Sequence, residues 1–147
     1  MTRIWVDADG CPMKNEIYKV AKRSGVPVTL VANHDSSCPG WVRMEVVDEP
    51  GVPDAADRHI LRHARPGDVV VTDDLPLARR CLAYGLLPVS NRGTRFREGE
   101  EGDLDELRDE EVEVRETGGA RGGPLPLGRK DRSAFRAALR DVLEEVG

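Results

Sequence analysis

The chain has 147 residues, 27 acidic against 22 basic side chains, three cysteines and 39 % apolar residues. That size fits one domain around one hydrophobic core, and no run approaches the roughly 18–20 apolar residues of a membrane span. Met1 leads straight into the strand-like Arg3 to Val6 with no cleavable apolar region, so a cytoplasmic protein is expected.

Ile4 to Val6 reads as the first strand. Met13, Ile17, Val20 and Ala21 follow at helical spacing, and Gly25 with Pro27 stops that helix before a strand at Val28 to Ala32. Met44 to Val47 has weaker strand character. Asp54 can cap a segment in which Ala56, Ile60, Leu61 and Ala64 share a face, and Pro66-Gly67 ends it ahead of Val69 to Val71. Leu77, Ala78, Cys81 and Leu82 repeat the helical period up to Gly85, after which Leu86 to Val89 is a further short strand. Alternating strands and amphipathic helices predict an α/β fold of three layers, a mainly parallel central sheet flanked by helices.

After Arg92-Gly93 the character changes. Between Glu98 and Glu116 there are eleven acids and two arginines, a local balance of −9, which leaves +4 on the remainder. A run this dense reads first as a solvated face. Thr117 to Gly128 is rich in Gly and Pro, so residues 94–130 are expected to be an acidic segment and a loop. Ala134, Phe135, Ala138, Leu139, Val142, Leu143 and Val146 then mark a closing helix at about 131–146 that docks on the sheet, with Asp131 as its N-cap.

The polar residues fall where the strands end. Asp7 and Asp9 follow the first strand, Asn33 the second, Asp73 and Asp74 the Val69 to Val71 strand, and Ser90-Asn91-Arg92 the last. In a parallel sheet these positions share the carboxyl edge, where open α/β folds bind ligands, and Asp54 and Asp57 at a helix start face the same way. Like charges about 4 Å apart repel by roughly 4 kcal/mol at an effective dielectric near 20, so a divalent cation or a bound proton is expected to relieve them. All-oxygen ligands favour Mg²⁺ or Mn²⁺, and hydrolysis of a phosphoester by metal-activated water suits such a site. Helix capping is the competing explanation for each acid taken alone, Asp74 before Pro76 included.

Cys11, Cys38 and Cys81 make an odd count without metal-ligand spacing, which argues for free thiols. Cys11 precedes Pro12 at a helix start, a position that can depress a thiol pKa. Ile17 stands where a C-x₅-R phosphate loop needs arginine, which leaves a small, semi-buried thiol as the default.

Asp7-Ala8-Asp9-Gly10-Cys11-Pro12, Val31-Ala32-Asn33, Asp54 with Asp57, Thr72-Asp73-Asp74-Leu75-Pro76-Leu77-Ala78, Arg92-Gly93, Gly122-Gly123-Pro124 and Asp131-Arg132 with Phe135 resemble, in order and spacing, the motifs of the bacterial YaiI/YqxD family. The sequence departs from that pattern at Asp73, Asn91 and Arg121. The family is itself similar to PIN-like domains, whose active members are Mg²⁺- or Mn²⁺-dependent ribonucleases. The resemblance implies a PIN-like fold, with Asp7 as the first-strand metal ligand, Asp57 as the helix-borne acid and Asp74 as the acid after the later strand. Asp9 is a second acid of the first motif. The expected site therefore has Asp7, Asp57 and Asp74 as catalytic residues and Asp7, Asp9, Asp57 and Asp74 as metal ligands. RNA or another phosphodiester is the expected substrate, held by Asn33, Arg92, Arg129, Lys130 and Arg132.

Two alternatives belong to different classes. Asp7-x-Asp9 after an apolar strand also resembles the nucleophile motif of haloacid-dehalogenase-type phosphatases, but no lysine stands between Lys22 and Lys130 to serve their second acidic motif. The other is a non-catalytic RNA-binding or interaction module in which the acids cap helices and Arg129, Lys130 and Arg132 contact phosphates. With only six aromatic residues, base stacking is not expected to contribute.

Overall fold

A computed structural model describes residues 2–47, 55–96 and 128–146. In chain order the elements are β1 (Ile4–Asp7), α1 (Lys14–Ser24), β2 (Val28–Ala32), β3 (Arg43–Val46), α2 (Ala55–His63), β4 (Val69–Val71), α3 (Leu75–Ala83), β5 (Leu87–Val89) and α4 (Arg129–Val146). The five strands form one sheet in the order β3-β2-β1-β4-β5, and every strand pair is parallel. Sequence periodicity therefore located every described element. The boundaries moved by one or two residues, with β3 starting at Arg43, β5 at Leu87 and α4 at Arg129.

Strands of a parallel sheet are covered on both faces and so read as continuous apolar runs, as all five buried residues of β2 do. Alternate side chains still choose opposite sides. Ile4, Val6, Leu30, Val69 and Val71 pack with Ile17, Val20 and Ala21 of α1 and with Phe135, Leu139 and Val142 of α4. Trp5, Val31 and Val70 pack on the other face with Ala56 and Ile60 of α2 and with Leu77 and Cys81 of α3. The result is three layers.

Asp131 is not the N-cap of α4. The helix starts two residues earlier, and the Asp131 carboxylate instead accepts the backbone N–H of Gly128 at 2.9 Å. An acid three residues into a helix that reaches back to the N–H of the capping residue makes one half of a capping box, since glycine has no side chain for the other. The expected cap at Asp54, the acidic run Glu98–Glu116 and Gly122-Gly123-Pro124 lie outside the described residues. No helix among the described residues is long and apolar enough to cross a membrane.

Candidate acidic site at the carboxyl edge

From β1 the chain moves outward on one side through β2 to β3, then returns to place β4 against the free side of β1. This reversal makes the β1/β4 boundary the switch point of the sheet. Helices leave to opposite faces there, and a crevice opens beyond the strand ends. Val6 pairs with Val71, so the next residues, Asp7 and Thr72, stand side by side at the mouth.

Thr72 is buried and its hydroxyl has two tasks. It donates to Asp7 Oδ2 at 3.0 Å and accepts the backbone N–H of Asp74 at 3.0 Å. The second bond is a local threonine turn that lifts the chain off β4. Asp74 then caps α3, accepting the N–H of Leu77 at 3.0 Å, with Pro76 in the first helical turn where its missing N–H costs nothing. A continuous relay thus runs from the start of α3 through Thr72 to Asp7.

The neighbouring acids tie strand ends together. Asp9 Oδ2 accepts the N–H of Asn33 at 2.7 Å, joining the exits of β1 and β2. Asp73 Oδ1 accepts the N–H of Asn91 at 2.7 Å, joining the exits of β4 and β5. Asn91 is buried, and its side-chain oxygen takes the thiol of Cys11 at 3.0 Å. Capping and loop closure, the bland explanation, therefore account for one oxygen each of Asp9, Asp73 and Asp74.

Asp7 is different because among the described residues its carboxylate bonds no backbone donor, and it is half-buried. Burial pushes its carboxyl up to about 6, Thr72 opposes that shift, and the charges of Asp74, Asp9 and Asp73 add to it. The charges of three neighbouring acids therefore converge on Asp7 at the switch point. Asp57 is half-buried in the first turn of α2. Burial raises the Cys81 thiol to about 12, and the charges of Asp57, Asp7 and Asp74 raise it further.

As placed, no three Asp, Glu, His or Cys side chains among the described residues come close enough to ligate one ion. Mg²⁺ does not require such a cage, since it commonly takes one or two carboxylates, keeps several waters and is completed by substrate phosphates. The all-oxygen set around Asp7 fits that kind of site.

Cys11 is not activated by its place at a helix start. Burial pushes its thiol up to about 11, the reverse of an activated nucleophile, and the semi-buried thiol is the outcome. Asn33 and Arg92 are exposed just past β2 and β5, on the acidic edge. Arg129 and Lys130 are exposed and Arg132 is half-buried in the opening turn of α4. That end of α4 lies near the same edge, because a Cβ on Gly93, just beyond β5, would sit 3.1 Å from the Ala134 carbonyl oxygen. Sequence reasoning assigned no role to Thr72. Its signal was a threonine two residues before a helix-capping aspartate. A cavity of about 1100 Å³ lies at the other end of the strands, lined by Thr2, Pro27 and Pro66, and is not part of this site.

A parallel α/β fold with an acidic switch point defines the general class. The model of the Uncharacterized BCR, YaiI/YqxD family matches residues 5–145, and the chain belongs to that family. It is 41 % identical over 146 residues to a UPF0178 protein of Rhodopseudomonas palustris, covering 99 % of this chain and 92 % of the relative. A UPF0178 protein of Xanthomonas campestris is 43 % identical over 141 residues, covering 95 % of this chain and 88 % of the relative. No solved structure matches the chain.

Proposed function

We propose that the protein is a divalent-metal-dependent phosphodiesterase of PIN-like type acting on RNA, with Asp7, Asp57 and Asp74 as its catalytic acids. The observation that carries this reading is Asp7 itself, a half-buried carboxyl raised to about 6 at the sheet's switch point with three acids acting on it. A strongly perturbed acid in a ligand-binding crevice is a mark of function over packing, because a purely structural carboxylate is held by donors that lower its pKa.

In this proposal Asp7, Asp9, Asp57 and Asp74 would hold Mg²⁺ or Mn²⁺. The bound ion supplies an activated water and charge stabilisation at the scissile phosphate. Thr72 orients the Asp7 carboxylate through its 3.0 Å bond. Asn33, Arg92, Arg129, Lys130 and Arg132 position the phosphate backbone, since arginine and lysine heads pair with phosphate oxygens. Above pH 6 Asp7 is ionised and able to bind a cation, so activity rises through that range.

The competing reading, a silent module, draws on the backbone N–H bonds made by Asp9, Asp73 and Asp74. Isothermal calorimetry with Mn²⁺ and cleavage of a labelled single-stranded RNA separate the two. The expected result is Mn²⁺ uptake and Mn²⁺-dependent cleavage in the native chain, both lost in Asp7→Asn and restored in neither case by more metal. Absence of carboxylate-dependent Mn²⁺ uptake overturns the proposal.

A further inference from the structure

The basic surplus of the sequence gathers on a surface that the acidic site does not use. A cavity of about 430 Å³ between α1 and α4 is lined by Lys19, Lys22, Arg23, Arg136, Arg140 and Val20, five cations and one apolar residue. Arg23 and Arg140 also line the cavity of about 1100 Å³ at the amino ends of the strands, together with Arg3, Arg43 and Arg65. Shared walls make the two cavities one trough.

Asp68, Glu45 and Glu16 near this trough are already engaged, and Glu144, also on the wall of the larger cavity, is exposed. Asp68 is buried, and its carboxylate accepts from the backbone N–H of Arg3 and Arg65 and from Trp5 Nε1, at 3.0–3.1 Å. Glu45 meets Arg43 at 3.4 Å and His59 at 3.0 Å. Glu16 meets Arg136 at 2.6 Å and Lys19 at 3.6 Å. Among the described residues no carboxylate reaches the side chains of Arg3, Lys22, Arg23, Arg65 or Arg140 within 4.0 Å. Helix-end electrostatics explain Lys22 and Arg23 in the last turn of α1. They do not explain Arg136 and Arg140 in α4, nor Arg3 and Arg65.

Arg136 and Arg140 stand one turn apart on α4. With Arg3, Lys19, Lys22, Arg23, Arg43 and Arg65 they make eight basic side chains along the two cavities, a lining that matches a chain of anions better than a single phosphate group. Trp5 is buried and committed to Asp68, and the exposed ring that lines the trough, His63, already lies 4.2 Å from the His59 ring, so the trough offers mainly charge.

We infer that this trough is a sequence-independent binding surface for the phosphate backbone of a nucleic acid, separate from the carboxylate site. The inference stands without nuclease activity, because it uses none of the carboxyl-edge acids.

The test is fluorescence anisotropy of a labelled 20-nucleotide single-stranded RNA in metal-free buffer across a salt series. Arg23→Glu with Arg140→Glu should weaken binding at least about tenfold near 100 mM salt and flatten the log–log salt slope by roughly 1.4, two contacts at about 0.7 each. Arg23→Lys with Arg140→Lys should keep the native slope. Mn²⁺ uptake of the double glutamate variant should match that of the native chain, which keeps failure of the nuclease proposal distinct from failure of this one. If the double glutamate variant does not fold, Lys22→Glu with Arg65→Glu carries the same expectation. Unchanged affinity and slope in a folded variant overturn the inference. Tighter binding of poly-glutamate than of RNA at equal charge overturns it too, by marking a surface for acidic proteins.

Discussion

Asp7 sets two properties of the molecule against each other. Its folded carboxyl titrates at about 6 against an ordinary 3.8, so the native state binds this proton more tightly than the unfolded chain does. Stability from that proton is fully present below pH 3.8 and is lost as pH rises through 6. The whole effect is no more than about 3 kcal/mol, from two pKa steps of about 1.4 kcal/mol each. Asp7→Asn keeps an oxygen for the Thr72 hydroxyl and removes the buried charge. It should therefore raise the melting temperature by several degrees at pH 8, leave it nearly unchanged at pH 4, and abolish Mn²⁺ binding. A variant that melts lower than the native chain at pH 8 would show that the Asp7 charge holds the fold together. Position was legible in the sequence here, because an acid one residue past an apolar strand must lie at the carboxyl edge. A raised carboxyl pKa was legible too, as the bound proton expected among like charges, but its main cause, burial, was not, since it depends on packing that the local pattern does not carry.

At the scale of the element, α3 shows how a cap and a site share one residue. Asp74 holds the N–H of Leu77, and asparagine caps a helix about as well as aspartate does. Asp74→Asn should then unfold within a few tenths of a kcal/mol of the native chain, whereas Asp74→Ala should lose about 1 kcal/mol. Both should lose Mn²⁺-dependent cleavage if the charge is catalytic, so urea melts paired with the cleavage assay separate the roles. Retained cleavage in the asparagine variant would reduce Asp74 to a cap. Gly93 makes a comparable point about α4. Its φ of +84° and the 3.1 Å approach to Ala134 leave no room for a side chain. Gly93→Ala should cost more than about 1 kcal/mol, measured by the same melts. The glycine was visible in the sequence beside Arg92, but its neighbour 41 residues later was not, because local pattern carries no information about which helix crosses a turn. The same limit explains Asp131, where the helical stripe was clear and the start was displaced to Gly128, whose N–H the Asp131 carboxylate holds.

At the scale of the whole molecule, the carboxylates of Asp7, Asp9, Asp73 and Asp74 gather at the carboxyl ends of the strands, while Arg3, Arg23, Arg43, Arg65 and Arg140 gather at the amino ends. The sequence showed the surplus of +4 outside Glu98–Glu116, yet the trough draws on β1, α1, β3, α4 and the turn before β4, so only the fold could assemble it. What holds this arrangement is the contact of α1 with α4, whose apolar stripe was legible. Its polar lock, buried Glu16 against Arg136, was not, since an acid one residue before Ile17 looks like an ordinary surface position. Phe135, Leu139 and Val142 are fully buried in the layer shared with α1. Each contributes about 1.5–3 kcal/mol of burial, and three together compare with the 5–15 kcal/mol that typically separates a folded domain from its unfolded chain. Phe135→Ala should therefore fold but lose about 3–5 kcal/mol, lowering the melting temperature by roughly 10 °C. A chain ending at Gly128 should not fold at all, because it also exposes Ile17, Val20 and Ala21 of α1 and leaves Glu16 without Arg136. Circular dichroism with thermal melts checks both variants. A truncated chain that keeps native helicity and melts cooperatively would make α4 an appendage, and the layer it shares with α1 would have to be stabilised by the sheet alone.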